Sequence, residues 1–150
     1  MPKFEVIDER LMDAPPMAVF KAVLDEYSGV THLWMPDLEF KPRAGNPMDR
    51  EGSICETTVR GHGMVAKFSE KVTRIESGKS LDFEMTGDFS GTEKWTFEPE
   101  GKKTKVQVAW NGASHKLVLS LVSPFVHVDG ELHKSRRRFL EAVDNSLRKK

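Results

Sequence analysis

The 150-residue sequence predicts an α+β fold, an antiparallel sheet covered by a long C-terminal helix and preceded by two short N-terminal helices. Two observations predict it. Between Leu117 and Leu147 apolar residues recur at helical spacing. Wound at about 100° per residue, Val118, Leu121, Phe125, Val128, Leu132, Phe139, Val143 and Leu147 share one arc. Lys134, Arg137, Arg138, Glu141, Asp144, Asn145 and Arg148 collect opposite it, as in a helix lying over a core. Upstream, short segments of alternating apolar and polar residues follow one another across Gly- and Pro-containing turns, the cadence of an antiparallel meander. No linker is long enough to divide the chain, so residues 1–150 are expected to form a single domain.

Lys3 to Met12 opens with Phe4 and Val6 alternating with Lys3 and Glu5, a first strand. In Asp13-Ala14-Pro15-Pro16, Asp13 suits a helix N-cap, and the prolines suit a first turn whose N–H groups lack partners anyway. Val19, Phe20, Val23 and Leu24 keep helical spacing to Asp25, and Gly29 to Trp34 is expected as a second short helix ended by Pro36. Leu38 to Lys41 is expected as a strand and Pro42 to Gly52 as loop. Ser53 to Arg60 and Met64 to Ile75 read as strands about a Gly61-His62-Gly63 turn. Ser80 to Thr86 places Leu81, Phe83 and Met85 on one face, and Gly87 to Gly91 reads as a turn around Phe89. Thr92 to Glu98 groups Glu93, Trp95 and Phe97, and Thr104 to Asn111 groups Val106, Val108 and Trp110.

As one straight helix, Leu117 to Leu147 would be about 46 Å long. A compact domain of this length is about 38 Å across. A break is therefore expected at Ser123-Pro124 or Asp129-Gly130, the former fitting better with Ser123 as cap and Pro124 at the first helical position.

Lys plus Arg and Asp plus Glu number 23 each, so no global field favours nucleic acid or an anionic membrane. The single Cys55 excludes an intramolecular disulfide and a multi-cysteine metal site. His32, His115, His127 and His133 are too scattered to suggest a metal. No signal-peptide region follows Met1, and no run approaches the roughly 20 apolar residues of a membrane span. The expectation is a cytoplasmic protein with no cofactor, no metal, no nucleic-acid partner and no integral membrane association. A monomer and a dimer both remain open.

Asp13-Ala14-Pro15-Pro16 with Val19-Phe20, Trp34-Met35-Pro36, the run Gly91-Thr92-Glu93-Lys94-Trp95-Thr96-Phe97-Glu98-Pro99, Thr104-Lys105-Val106 and the terminal amphipathic helix together resemble one family. It is the START/polyketide cyclase-dehydrase superfamily, also called SRPBCC, which includes the birch-pollen-allergen family. The resemblance spans essentially the whole chain and rests on turn and core residues rather than a catalytic signature. It implies the helix-grip fold, a curved antiparallel sheet wrapped around the C-terminal helix. It also implies binding of hydrophobic or aromatic small molecules between sheet and helix.

Within that frame Arg136 stands out, an arginine inside the apolar arc among Leu132, Phe139, Leu140 and Val143. Its guanidinium would either grip a carboxylate, phosphate or enolate of an apolar ligand, or meet an acid on the sheet, for which Glu93 is the obvious choice. Snorkelling to the rim is the third option. Glu93 could serve as a general base if burial raised its pKa, or sit near solvent at a strand end. His62 is an exposed turn residue or a proton shuttle at a pocket mouth. The expected ligand-binding set is Arg136, Trp95, Phe97, Phe83, Met85, Trp110, Phe125, Leu132, Phe139 and Trp34, with Met35, Met64 and Phe68 as further lining. For each aromatic or methionine, plain core packing is the competing account.

The expected function is binding or transport of a hydrophobic or aromatic small molecule, lipid-, polyketide- or quinone-like. One alternative is a polyketide cyclase/dehydrase-like enzyme using Glu93, Arg136 and a histidine. Another is a protein-interaction module with a vestigial pocket, presenting Leu119, Val122 and Val126.

Overall fold

A computed structural model of the chain describes residues 3–61, 64–115 and 128–148. The elements run β1 (Lys3–Met12), α1 (Pro16–Tyr27), β2 (Leu38–Pro42), β3 (Ile54–Gly61), β4 (Met64–Glu76), β5 (Ser80–Gly87), β6 (Phe89–Glu100), β7 (Lys103–Ser114) and α2 (Val128–Arg148). Among the described residues seven strands form one antiparallel sheet in the order β1-β7-β6-β5-β4-β3-β2. It is the expected meander from β2 to β7, with β1 laid beside β7.

Period-two burial sets the inner face of every strand. On β1, Phe4, Val6, Asp8 and Met12 turn inward while Glu5, Ile7 and Glu9 face out. A register shift between Val72 and Arg74 interrupts the pairing of β4 with β5, the kind of irregularity that bends a strand. β6 begins at Phe89, so the turn expected over Gly87 to Gly91 shrinks to Asp88. Phe89 is buried against Phe4 and Phe68, with ring centroids 5.3 and 5.1 Å away. Gly91 is a strand residue paired with Gly112 rather than a turn glycine. A Cβ on Gly91 would lie 2.1 Å from the Asn111 carbonyl oxygen, and one on Gly112 2.0 Å from that of Ser90. The two glycines let the backbones of β6 and β7 approach where side chains would hold them apart.

Asp13 is not the cap of α1. Pro15 occupies that position without a side-chain hydrogen bond and Pro16 starts the helix, the fixed ring geometry of the prolines doing the work expected of Asp13. α1 buries Val19, Phe20, Val23 and Tyr27, and Phe20 meets Phe97 edge-on at 5.4 Å. The second N-terminal helix does not form, and residues 28–37 are turns and bends after Gly29, whose φ is +75°. The buried Glu26 carboxylate explains this. It accepts hydrogen bonds from Thr31 Oγ1 at 2.7 Å, Leu33 N at 2.9 Å and Trp34 N at 3.1 Å, so backbone donors that a helix would need are taken by a side chain.

Ser123, Pro124 and Phe125, like Leu119, Val122 and Val126, lie outside the described residues. Asp129 and Gly130 lie within α2, which does not break there. Phe139, Leu140 and Val143 are buried as the arc predicts. Asp144, expected on the outer side, is also buried. It accepts from Arg10 Nε of β1 at 3.0 Å and from Arg148 Nε at 3.1 Å. α2 is thus tied along β1 at its C-terminal end.

The Gly91–Gly112 approach leads to one expectation. Gly112→Ala should lower stability by about 3 kcal/mol, because the clash is with backbone that cannot give way. Urea unfolding measures it, and a loss under about 0.5 kcal/mol would mean that the strands separate there at little cost.

Candidate functional site

Strand register brings the site together. Val72, Phe83, Glu93, Trp110 and Val6 form one inward row across β4, β5, β6, β7 and β1. Beside it, Cys55, Glu70, Met85 and Gly91 form another. Glu93 therefore lies in the middle of the sheet and fully buried, not near solvent at a strand end.

Three donors converge on Glu93 Oε1. Trp110 Nε1 donates to it at 2.5 Å and Trp95 Nε1 at 3.1 Å, and the Tyr27 hydroxyl of α1 makes a short hydrogen bond to the same oxygen. Trp95 Nε1 also reaches the Tyr27 oxygen at 3.3 Å. Burial first, then the charge of Glu93, pushes the Tyr27 hydroxyl well above its ordinary value, so it stays a donor. Glu93 Oε2 has no hydrogen-bond partner among the described residues.

Arg136 of α2 is fully buried. The acid it meets is Asp8 of β1, not Glu93, with Nη2 3.0 Å from Asp8 Oδ2. Its guanidinium carbon stands 5.1 Å from the centre of the Trp110 ring, whose Nε1 is the donor to Glu93. Trp110 is thus wedged between the two charges. Arg137 approaches the same Asp8 at 3.7 Å, while Arg138 donates to Asp37. The three consecutive arginines therefore form no common anion-binding stripe. Arg136 Nε and Nη1 make no hydrogen bond among the described residues. Burial draws the guanidinium pKa down, and the charge of Asp8 works against that.

Glu70 is the residue that sequence reasoning passed over. It is fully buried on β4 beside Glu93 and Thr57, with no N–H donor among the described residues fixed on either oxygen. Burial, with the charge of Glu93 next, holds its carboxyl well above the ordinary range. Cys55, opposite Glu70 on β3, is a thiol pushed far up by burial, which disfavours the thiolate.

The expected aromatics gather around these groups. Trp34 stacks on Phe139 at 4.2 Å, and its Nε1 donates to Ser135 Oγ at 2.7 Å. Phe139 meets the Trp95 edge at 6.1 Å, and Phe83 stacks on Tyr27 at 4.6 Å. Met85 is buried, in register with Glu70. Phe97 is buried too, but it lies under Phe20 of α1 as well as beside Trp95. Met35 is not lining, since it is 41% exposed in the turn after Trp34. His62 and Phe125 lie outside the described residues, as do the side chains of Leu132 and Met64. Asp8 and Glu70 carried a signal that was there to be used: continuing the alternation from Phe4 and Val6 turns Asp8 inward, and continuing it along β4 from Phe68 turns Glu70 inward. Tyr27 fits the α1 spacing from Val19, Phe20 and Val23.

A surface groove of about 610 Å³ is a separate feature, lined by residues of the 43–54 segment, Arg43 and Arg50 among them. Those arginines pair with Glu56 and Asp49, and no predicted site residue lines the groove.

A family profile described as polyketide cyclase / dehydrase and lipid transport matches residues 3–145. The chain belongs to the polyketide cyclase/dehydrase and lipid-transport family. Among solved structures, the crystal structure of Ara h 8.0201 is similar over 99% of this chain and 100% of its own, with a TM-score of 0.71 and 15% identity. A Thermus thermophilus protein is similar over 95% of each chain, with a TM-score of 0.72 and 19% identity. A Thalictrum flavum norcoclaurine synthase point mutant, in complex with a transition-state analogue, is similar over 99% of this chain and 96% of that one, at a TM-score of 0.67 and 12% identity. At these identities the likeness is one of fold, and the fold is the helix-grip fold of the START/SRPBCC superfamily. Comparison with curated proteins returns no match. Among the described residues no helix is long and apolar enough to cross a membrane.

For this member of the polyketide cyclase/dehydrase and lipid-transport family, two consequences of the buried charges can be measured. Asp8→Ala strands Arg136 in the interior and should cost about 3–5 kcal/mol. Asp8→Leu with Arg136→Met should recover most of that, so a double variant as unstable as the single would refute the pairing. Glu70 binds its proton more tightly folded than unfolded. Its contribution is whole below the ordinary carboxyl value of 4.5 and is lost as pH rises towards the folded value, because the unfolded chain gives up that proton first. Across about pH 5–8, urea midpoints of Glu70→Gln should therefore fall less steeply than those of the unsubstituted chain. Parallel curves would place Glu70 in contact with water.

Proposed function

We propose that this chain binds a hydrophobic or aromatic small molecule between the sheet and α2. The observation that supports it best is the group of fully buried ionisable side chains Glu70, Glu93 and Arg136, left short of hydrogen-bond partners among the described residues and gathered with Trp34, Tyr27, Trp95, Trp110 and Phe139. Buried polar atoms without partners cost about 1–3 kcal/mol each. An interior selected for stability alone would replace them with hydrocarbon. Aromatic walls with a few convergent polar groups are the usual make-up of a small-molecule site. Family membership supports the same reading.

All three tryptophans of the chain stand at this place, so their fluorescence reports an occupant directly. N-phenyl-1-naphthylamine, a neutral aromatic probe that accepts energy from tryptophan, should bind saturably and one to one, quenching the tryptophans as its own emission rises. A linear, unsaturable response would defeat the interior-site reading.

A second reading is a cyclase/dehydratase-like enzyme. Glu70, a carboxyl that keeps its proton, stands close enough to Glu93 and Tyr27 for their charges and hydroxyl to be coupled, and such a set can donate and accept a proton. The enzyme reading requires that Glu70→Gln abolish turnover in a substrate screen while probe binding survives.

A further inference from the structure

The other buried acids of the described chain each have a matched partner set. Asp8 has Arg136 and Arg137, Asp144 has Arg10 and Arg148, and Glu26 has a hydroxyl and two backbone N–H groups. Glu70 and Glu93 are different. Glu70 holds its proton towards Glu93, with the Thr57 hydroxyl beside it, and apart from that proton no donor among the described residues is fixed on Glu70 Oε1, Glu70 Oε2 or Glu93 Oε2. Arg136, whose charge reaches Glu93, is itself paired with Asp8. The groups facing Glu70 are Glu93 from β6, Tyr27 from α1 and Cys55 and Thr57 from β3. Arg136 of α2, with its Asp8 partner on β1, lies beyond Glu93. None of the described groups facing Glu70 is positive.

We propose that Glu70 and Glu93 form the polar end of the interior site, and that its ligand is an apolar or aromatic amine held there as an ammonium ion. This rests on the interior-site reading. An ammonium group offers three N–H donors, which can take the place of the single proton that Glu70 holds towards Glu93 and reach the carboxyl oxygens that no fixed donor of the described residues serves. The aromatic side chains around the two acids, Tyr27, Phe83 and the tryptophans, suit an apolar skeleton. An alcohol supplies a single donor and no charge. A carboxylate finds donors at Arg136 Nε and Nη1 but meets the charges of both Asp8 and Glu93. Binding exchanges one positive charge for another: the ammonium enters, the O–H bond of the Glu70 carboxyl breaks, and its proton leaves to solvent. The charge of the interior is the same before and after, which removes the main electrostatic penalty of bringing an ion inside.

The test is calorimetry on the whole chain with three probes of one shape, 1-naphthylmethylamine, 1-naphthylmethanol and 1-naphthoate. The amine should bind about tenfold or more tightly than either of the others. Buffers of different ionisation enthalpy should reveal a proton released on binding, with affinity rising about tenfold per pH unit while Glu70 remains protonated. Glu70→Gln should abolish both the proton release and the preference for the amine. If that variant does not fold, the probe ranking and pH slope of the unsubstituted chain decide alone. Tighter binding of the alcohol or the acid, or amine binding without proton release, overturns the amine assignment and leaves the interior site standing. Binding of N-phenyl-1-naphthylamine with none of the three naphthyl probes has the same effect. Failure of all four overturns the interior site as well.

Discussion

An arginine with no exposed surface needs an anion close by, and in this molecule that requirement ties the helix to the sheet. Arg136 is carried inward by the same arc that buries Phe139, Leu140 and Val143. Asp8, turned inward by the alternation of β1, meets it at 3.0 Å. Removing either partner leaves a buried charge uncompensated, so the two fix the rotation of α2 about its axis and its position along β1. The Arg10–Asp144 pair repeats the connection further along the same helix and strand. Trp110 takes the guanidinium over its ring and turns its indole N–H to Glu93, which links the helix to the centre of the sheet.

From Glu93 the interior becomes an aromatic cage around acids. The two indoles and the Tyr27 hydroxyl satisfy one carboxylate oxygen. The other, together with the Glu70 carboxyl, has no fixed N–H donor within the described chain beyond the proton that Glu70 itself holds. Such an arrangement is poor for stability and favourable for recognition, because an unsatisfied buried acceptor discriminates strongly between ligands that can donate to it and ligands that cannot. The turn after α1 serves the same end. Glu26 holds the backbone of Leu33 and Trp34, and so delivers the Trp34 ring flat onto Phe139.

Patterning within one element was readable from residue order. The amphipathic arc, the period-two strands from β2 to β7 and the inward face of Glu93, Trp95 and Phe97 follow from repeats of 3.6 and 2 residues, which any neighbour must respect. Arg136 was visible because it breaks the arc. The second helix failed as an expectation because Glu26 competes for backbone donors, and a side chain reaching several residues ahead leaves no periodic trace. Gly91 looked like a turn glycine because the same residue serves turns and close backbone approach equally well.

What the sequence determined by itself is the fold and the kind of interior: sheet under helix, aromatic, with a lone arginine on the buried arc. What only the tertiary structure decided is which acid answers which base. Asp8 and Glu93 are separated along the chain and lie on different strands, and the choice between them depends on β1 closing onto β7 and on where α2 comes to rest. Charge pairing in an interior is a matter of a few ångströms between distant segments, and local periodicity carries no information at that range.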